Sequence, residues 1–150
     1  MTPLPETAYI ALGSNLGDRD AHLSFARIAL AALPGTRVVA ASAVEETAPV
    51  GEVPQGPYLN QMIAVETRLE PRTLLAELQR IERAAERVRA ERWGPRTLDL
   101  DIIRYGDRRI AEADLVVPHP EIERRDFWQR EIAELDGAIV GPLPGSKASL

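Results

Sequence analysis

The chain has 150 residues, of which 45% are hydrophobic and 27% charged, and a net charge of -5; this suits one soluble globular domain spanning 1–150 with a sizeable core. The acidic balance speaks against a general nucleic-acid binder, which carries a basic surface. The lack of cysteine excludes disulfides, thiol catalysis and cysteine-held zinc or iron–sulfur centres.

No apolar run reaches the length of a membrane span, and Met1 to Glu6 has no basic n-region of a signal peptide. We therefore expect a cytoplasmic protein with no membrane partner. In chain order, Ala8 to Leu12 is a short apolar run ended by Gly13, and reads as a strand. After the turn Gly13-Ser14-Asn15-Leu16-Gly17-Asp18, a helix is expected from Asp18 to Leu33. Leu23, Ala26, Leu30 and Leu33 lie on one of its faces, and Pro34-Gly35 ends it. Arg37 to Glu46, rich in valine and alanine, reads as a single strand. Thr47 to Pro57 holds three prolines and two glycines and reads as a long loop, a kind that is often functional.

Tyr58 to Leu69 is the next strand, with Tyr58, Asn60, Met62 and Ala64 on one face. Pro71 opens a helix that runs to about Arg87, with Leu74, Leu78, Ile81, Ala85 and Val88 as its apolar stripe. A turn at Gly94-Pro95 leads into a strand from Thr97 to Ile103. A short strand is expected at Arg109-Ile110, an extended segment from Leu115 to Pro120 and a last helix within Glu121 to Leu135. The stretch from Gly137 to Leu150 reads as a loosely held tail. The order strand, helix, strand, strand, helix, strand is that of an α+β ferredoxin-like βαββαβ sandwich, with a mainly antiparallel sheet and a C-terminal helical extension.

The chemistry concentrates between Glu91 and Arg104. Asp99 and Asp101 share a strand face, roughly 6.5 Å apart at about 3.3 Å per residue. Aspartate is depleted in strands, and two like charges this close repel. Such a pair is either a solvated face or the seat of a cation. Magnesium suits it, because it binds through one or two carboxylates and takes its other ligands from water and phosphate. Arg83, Arg87, Arg89, Arg92 and Arg96 cluster around the pair in sequence, and guanidinium groups bind phosphate oxygens bidentately. The turn after the first strand lacks the glycine–lysine–serine/threonine of a Walker loop, so phosphates would be held by metal and side chains.

The segment Arg92-Trp93-Gly94-Pro95-Arg96-Thr97-Leu98-Asp99-Leu100-Asp101-Ile102-Ile103 resembles the signature of the 6-hydroxymethyl-7,8-dihydropterin pyrophosphokinases of folate biosynthesis. So do Ala8 to Asp18, Glu46 to Asn60, and Pro118-His119-Pro120 with Arg125 and Phe127. The resemblance covers roughly residues 8 to 135. Two departures stand out: the loop before Trp93 is one residue short, and the segment after Phe127 lacks an apolar-x-Pro-Leu. The resemblance implies transfer of pyrophosphate from ATP to the pterin hydroxymethyl, with release of AMP. It further implies two magnesium ions on Asp99 and Asp101, and Arg87 and Arg96 at the transferring group. Gln79, Glu82, Arg89, Trp93, Ile102, His119 and Arg125 would line the ATP side. Tyr58 and Phe127 would sandwich the pterin, with Asn60, Thr47 and Val50 reading its edge. A monomer is expected. Two other uses of this topology stay open on the residues alone: a two-metal nucleotidyl transferase or cyclase, and a non-catalytic RNA-binding module. The acidic charge and the two phenylalanines disfavour the second.

Overall fold

The computed structural model describes residues 4–48, 56–88 and 97–140, apart from the side chains of 87, 88 and 140. Strand β1 runs Glu6–Ser14, helix α1 Arg19–Ala31, β2 Thr36–Ala41, β3 Glu45–Thr47 and β4 Tyr58–Thr67. Helix α2 follows at Pro71–Val88, then β5 at Asp99–Tyr105, β6 at Ile110–Glu112, β7 at Leu115–Val117 and α3 at Asp126–Val140. Asp18 caps α1 by accepting from the backbone N–H of Ala21, which satisfies one of the first-turn donors that a helix leaves unpaired.

The main sheet has the order β2-β4-β1-β5, with β3 also paired to β4. All its pairings are antiparallel. This is the expected α+β ferredoxin-like arrangement, with β6 and β7 forming a separate two-stranded hairpin. One face of the sheet presents Ala8, Ile10, Leu12, Ile63, Val65, Leu100 and Ile102 to α1 and α2, where Leu23, Leu30, Leu74 and Leu78 are buried. The other face presents Tyr9, Ala11, Met62, Ala64 and Ile103 to Trp128, Ile132 and Leu135 of α3. The alternation of β1, β4 and β5 thus divides two apolar cores across one sheet.

Three expectations are corrected. The single strand over Arg37 to Glu46 is two: β2 ends at Ala41 and β3 begins at Glu45. Ser42 explains the break. Its hydroxyl accepts from Met62 N–H, its own N–H donates to Met62 O, and its carbonyl accepts from Gln61 Nε2. The chain is thereby anchored to β4 between the two strands. The last helix does not end at Leu135: Gly137 to Val140 continue α3, and only 141–150 of the expected tail lie outside the described residues. Buried Ile132 and Leu135 hold the helix to the sheet, so a single glycine, worth about 1 kcal/mol against helix, does not end it. At its start, Ile122–Arg124 forms a turn of 3₁₀ helix and α3 proper begins only at Asp126.

Candidate active site

The site is built where β1, β4 and β5 end on the α3 face. Asp99 and Asp101 are half-buried on β5, with Leu100 between them turned into the opposite core. The backbone N–H of Leu100 donates to Glu82 Oε2 of α2 at 2.7 Å. Glu82 therefore ties the helix to the strand at the residue between the two acids.

A cavity of about 320 Å³ opens beside them, within the range of small-molecule sites. Its lining includes Gly13, Thr47, Tyr58, Asn60, Asp99, Asp101, Arg125, Phe127 and Trp128. Tyr58 and Asn60 reach it from β4, one strand beyond β1, and Phe127 and Trp128 reach it from α3. Asn60 Nδ2 donates to Thr47 Oγ1 at 2.6 Å, which fixes the amide and leaves its oxygen and second N–H for a ligand. Gly13 forms part of the floor, where a Cβ would stand at van der Waals contact, 3.4 Å from Asn60 Oδ1 and 3.6 Å from the Tyr58 ring.

Asp101 also lines a second cavity, of about 230 Å³, together with Leu75, Leu100, Ile102, Asp114, Val116 and His119. This one is a slot between the edge strand β5 and the β6–β7 hairpin. His119 sits at the junction. Its Nδ1 accepts from Glu121 N–H at 3.0 Å, so the neutral ring carries its proton on Nε2. Nε2 faces Asp101 Oδ1 at 4.0 Å. Burial lowers the His119 pKa; Asp101 pulls it upward and Arg125 pushes it further down. The ring is packed edge-on against Trp128 at 4.8 Å, and the Arg125 guanidinium lies over the same indole at 4.5 Å.

The structure thus brings together Thr47, Tyr58, Asn60, Asp99, Asp101, Arg125 and Phe127 at one cavity, and Asp101, Ile102 and His119 at the other. Arg125, expected on the ATP side, lines the first cavity. Gln79 is exposed and, like Glu82, lines neither. Val50, Arg89, Trp93 and Arg96 lie outside the described residues, as does the Arg87 side chain. Trp128 is not among the expected site residues. Its aromatic type one residue after Phe127 is a visible signal, although neighbours in a helix face different ways. Asp114, Leu75 and Val116 carry no such signal.

No group of three or more His, Asp or Glu side chains able to hold a metal occurs among the described residues. The donor set at Asp99 and Asp101 is a pair of half-buried carboxylates, which fits a hard cation that completes its shell with water and phosphate oxygens.

Two cavities that share the Asp101 carboxylate, with Asp99 beside it in the first, form a site of the class that brings two small ligands together at an acidic wall. The model of the 7,8-dihydro-6-hydroxymethylpterin-pyrophosphokinase (HPPK) family matches residues 9–137. The 2-amino-4-hydroxy-6-hydroxymethyldihydropteridine pyrophosphokinase of Methylorubrum extorquens is 44% identical over 133 residues, covering 89% of this chain and 84% of the relative. The protein of the same name from Haemophilus influenzae is 43% identical over 141 residues, covering 94% and 87%. That from Pseudomonas aeruginosa is 41% identical over 130 residues, covering 87% and 80%. The chain belongs to the 7,8-dihydro-6-hydroxymethylpterin-pyrophosphokinase family.

Proposed function

We propose that this chain uses ATP as its donor and magnesium on Asp99 and Asp101 as its cofactor. The reaction itself follows from the family: the chain transfers a pyrophosphoryl group to hydroxymethyldihydropterin, in folate biosynthesis. The observation that carries the proposal is the position of Asp101, which lines both cavities. An acceptor in one and a donor in the other would meet at its carboxylate.

In the first cavity the pterin ring lies between Tyr58 and Phe127, whose faces suit a flat heterocycle. Asn60, fixed by Thr47, reads the hydrogen-bonding edge, helped by the backbone of Thr47 and Val50. The nucleotide enters the slot along Ile102 and His119, with Arg89 and Trp93 also assigned to the ATP side and Arg125 reaching across from the first cavity. Gln79 and Glu82 act from α2, Glu82 by holding β5 in place. The pterin hydroxyl oxygen bonds to the β-phosphorus of ATP. The bond from that phosphorus to the α–β bridging oxygen breaks, AMP departs with the bond's electron pair, and the hydroxyl proton is released to water. Arg87 and Arg96 offset the charge on the group in transit. Bound magnesium, two ions in this reading, supplies charge neutralisation and alignment of the phosphates. Catalysis then rests on positioning and electrostatics, with no protein nucleophile. The active species is a cytoplasmic monomer.

The test is to incubate the chain with ATP, magnesium and the hydroxymethyl pterin. Equimolar AMP and diphosphorylated pterin are expected. ADP as the product would overturn the reading, and released pyrophosphate would point to nucleotidyl transfer.

A further inference from the structure

Two walls of the first cavity are tied together behind it. Phe127 and Trp128 reach the cavity from α3, and Thr47 and Asn60 reach it from β3 and β4. Glu131 lies one turn after Phe127, on the same helix face. Glu45 lies two residues before Thr47, on the same strand face, and is the cross-strand partner of Asn60. Strand β3 is only three residues long, so strand pairing by itself holds this wall weakly. Helix α3 supplies further ties. Glu134 Oε2 accepts from Ala43 N–H at 3.0 Å, and Arg130 donates to Glu45 at 2.8 Å.

Glu131 makes a third tie, of another kind. The residue is 2% exposed, and neither of its carboxyl oxygens meets a donor. Its neighbour on β3, Glu45, is a second acceptor. A charged carboxylate buried without a donor costs far more than an ordinary unmade hydrogen bond. One arrangement satisfies the pair: Glu131 keeps its proton and donates it to Glu45, whose other partner is Arg130. Burial first, and then the bond to Glu45 and its charge, push the Glu131 pKa up to about 9; Arg130 acts against the shift and Glu134 with it. These are the charged groups that face Glu131, one from β3 and two from its own helix. Of the strands packed on α3, β4 has no ionisable residue from Leu59 to Val65, and Arg37 of β2 is paired with Glu66.

We infer that Glu131 is a positioning residue for the pterin: the carboxyl proton that it donates to Glu45 fixes the spacing of the α3 and β3 walls, and with it the fit of a flat ring between Phe127 and the edge formed by Tyr58 and Asn60. The inference rests on the first cavity being the pterin site. Below about pH 9 the proton is present and the walls are joined. Above it two carboxylates face each other and repel, and the cavity loosens. None of the residues in these ties lines the slot, so the nucleotide is held as before.

The experiment is steady-state kinetics of the full chain at pH 7 and at about pH 9.5. The KM for pterin and the KM for ATP are measured for the wild type, Glu131→Gln and Glu131→Leu, each checked for folding by circular dichroism. A glutamine amide donates to Glu45 without needing a proton, so Glu131→Gln should match the wild type at pH 7. The pterin's own titration is common to all variants and cancels in the ratio of their KM values. At about pH 9.5 about three-quarters of the wild-type carboxyls have lost the proton, so the wild-type pterin KM should exceed that of Glu131→Gln about fourfold. Glu131→Leu has no donor at either pH and should raise the pterin KM about fivefold at both, the size of one net hydrogen bond. The ATP KM should stay with that of the wild type throughout. A ratio of wild type to Glu131→Gln that is the same at both pH values would overturn the inference, as would a Glu131→Gln variant that behaves like Glu131→Leu at pH 7. Asn60→Ala, measured alongside, separates the inference from the reading beneath it. If Asn60→Ala raises the pterin KM and the Glu131 variants do not, the inference alone fails; if no variant moves it, the assignment of the cavity fails as well.

Discussion

The two cavities that share Asp101 are built in different ways. The first is a product of strand alternation: Tyr58 and Asn60 on β4, Gly13 on β1, and Asp99 and Asp101 on β5 share one face of three neighbouring strands. Register sets its geometry, and a slip of one residue would turn its polar groups into the core. The slot is a product of apposition. An edge strand, a short hairpin and one turn of α2 meet there, joined by His119 N–H to Ile103 O and by the bonds from Arg72 to Asp114. The lesson is that a site on central strands draws its precision from the sheet, whereas a site on an edge draws it from individual side-chain ties. Substitutions should therefore separate the two substrates.

The largest effect is expected at the shared wall. Asp101→Ala should lower kcat by about 10²–10³-fold, as loss of a preorganised electrostatic group does, while circular dichroism shows an unchanged fold. An active variant would remove the carboxylate from the chemistry. Next comes the first cavity alone. Asn60→Ala deletes the amide that Thr47 fixes and should raise the KM for pterin about tenfold, with the KM for ATP unchanged in steady-state kinetics. Equal changes in both KM values would erase the contrast between the cavities.

A smaller effect is expected at the base of the segment between β3 and β4. Arg19 of α1 donates to Pro57 O and pairs with Glu46, both at 2.9 Å, so it holds both stems of that segment. Arg19→Met should raise the pterin KM by about fivefold at most, the limit for a half-exposed pair, and leave the ATP KM alone.

The smallest effect is on stability. Glu131 of α3 is buried beside Glu45 of β3, and burial first, then the Glu45 carboxylate, push its pKa from 4.5 to about 9. The native state keeps a proton that the unfolded chain has lost, so this group's contribution is complete below pH 4.5 and falls away as pH rises toward 9. Glu131→Gln should raise Tm at pH 8 by about 3 °C and change it little at pH 4. A Tm that fell equally at both pH values would show that the carboxyl is not protonated in the native chain.

The same contrast explains what is legible in the sequence. Alternation is a local rule, and by itself it places Asp99 and Asp101 on one face of β5, and Tyr58, Asn60, Met62 and Ala64 on one face of β4. Periodicity likewise finds the α1 stripe of Leu23, Ala26 and Leu30. The break at Ser42 is hidden because it depends on hydrogen bonds to Met62, twenty residues away. The tie between Arg72 and Asp114 is hidden for the same reason, since that pairing spans 42 residues. Glu82 reads as one member of a charged helix face, and its hydrogen bond to Leu100 N–H emerges only when α2 packs on β5.

The central claim is that Asp99 and Asp101 hold metal between the two substrates. It is tested most directly by counting bound Mn²⁺, in place of magnesium, by electron paramagnetic resonance with an unreactive ATP analogue and the pterin present. Two ions per wild-type chain are expected, with both lost or greatly weakened in Asp101→Asn. A variant that bound manganese with wild-type stoichiometry and affinity would contradict the claim.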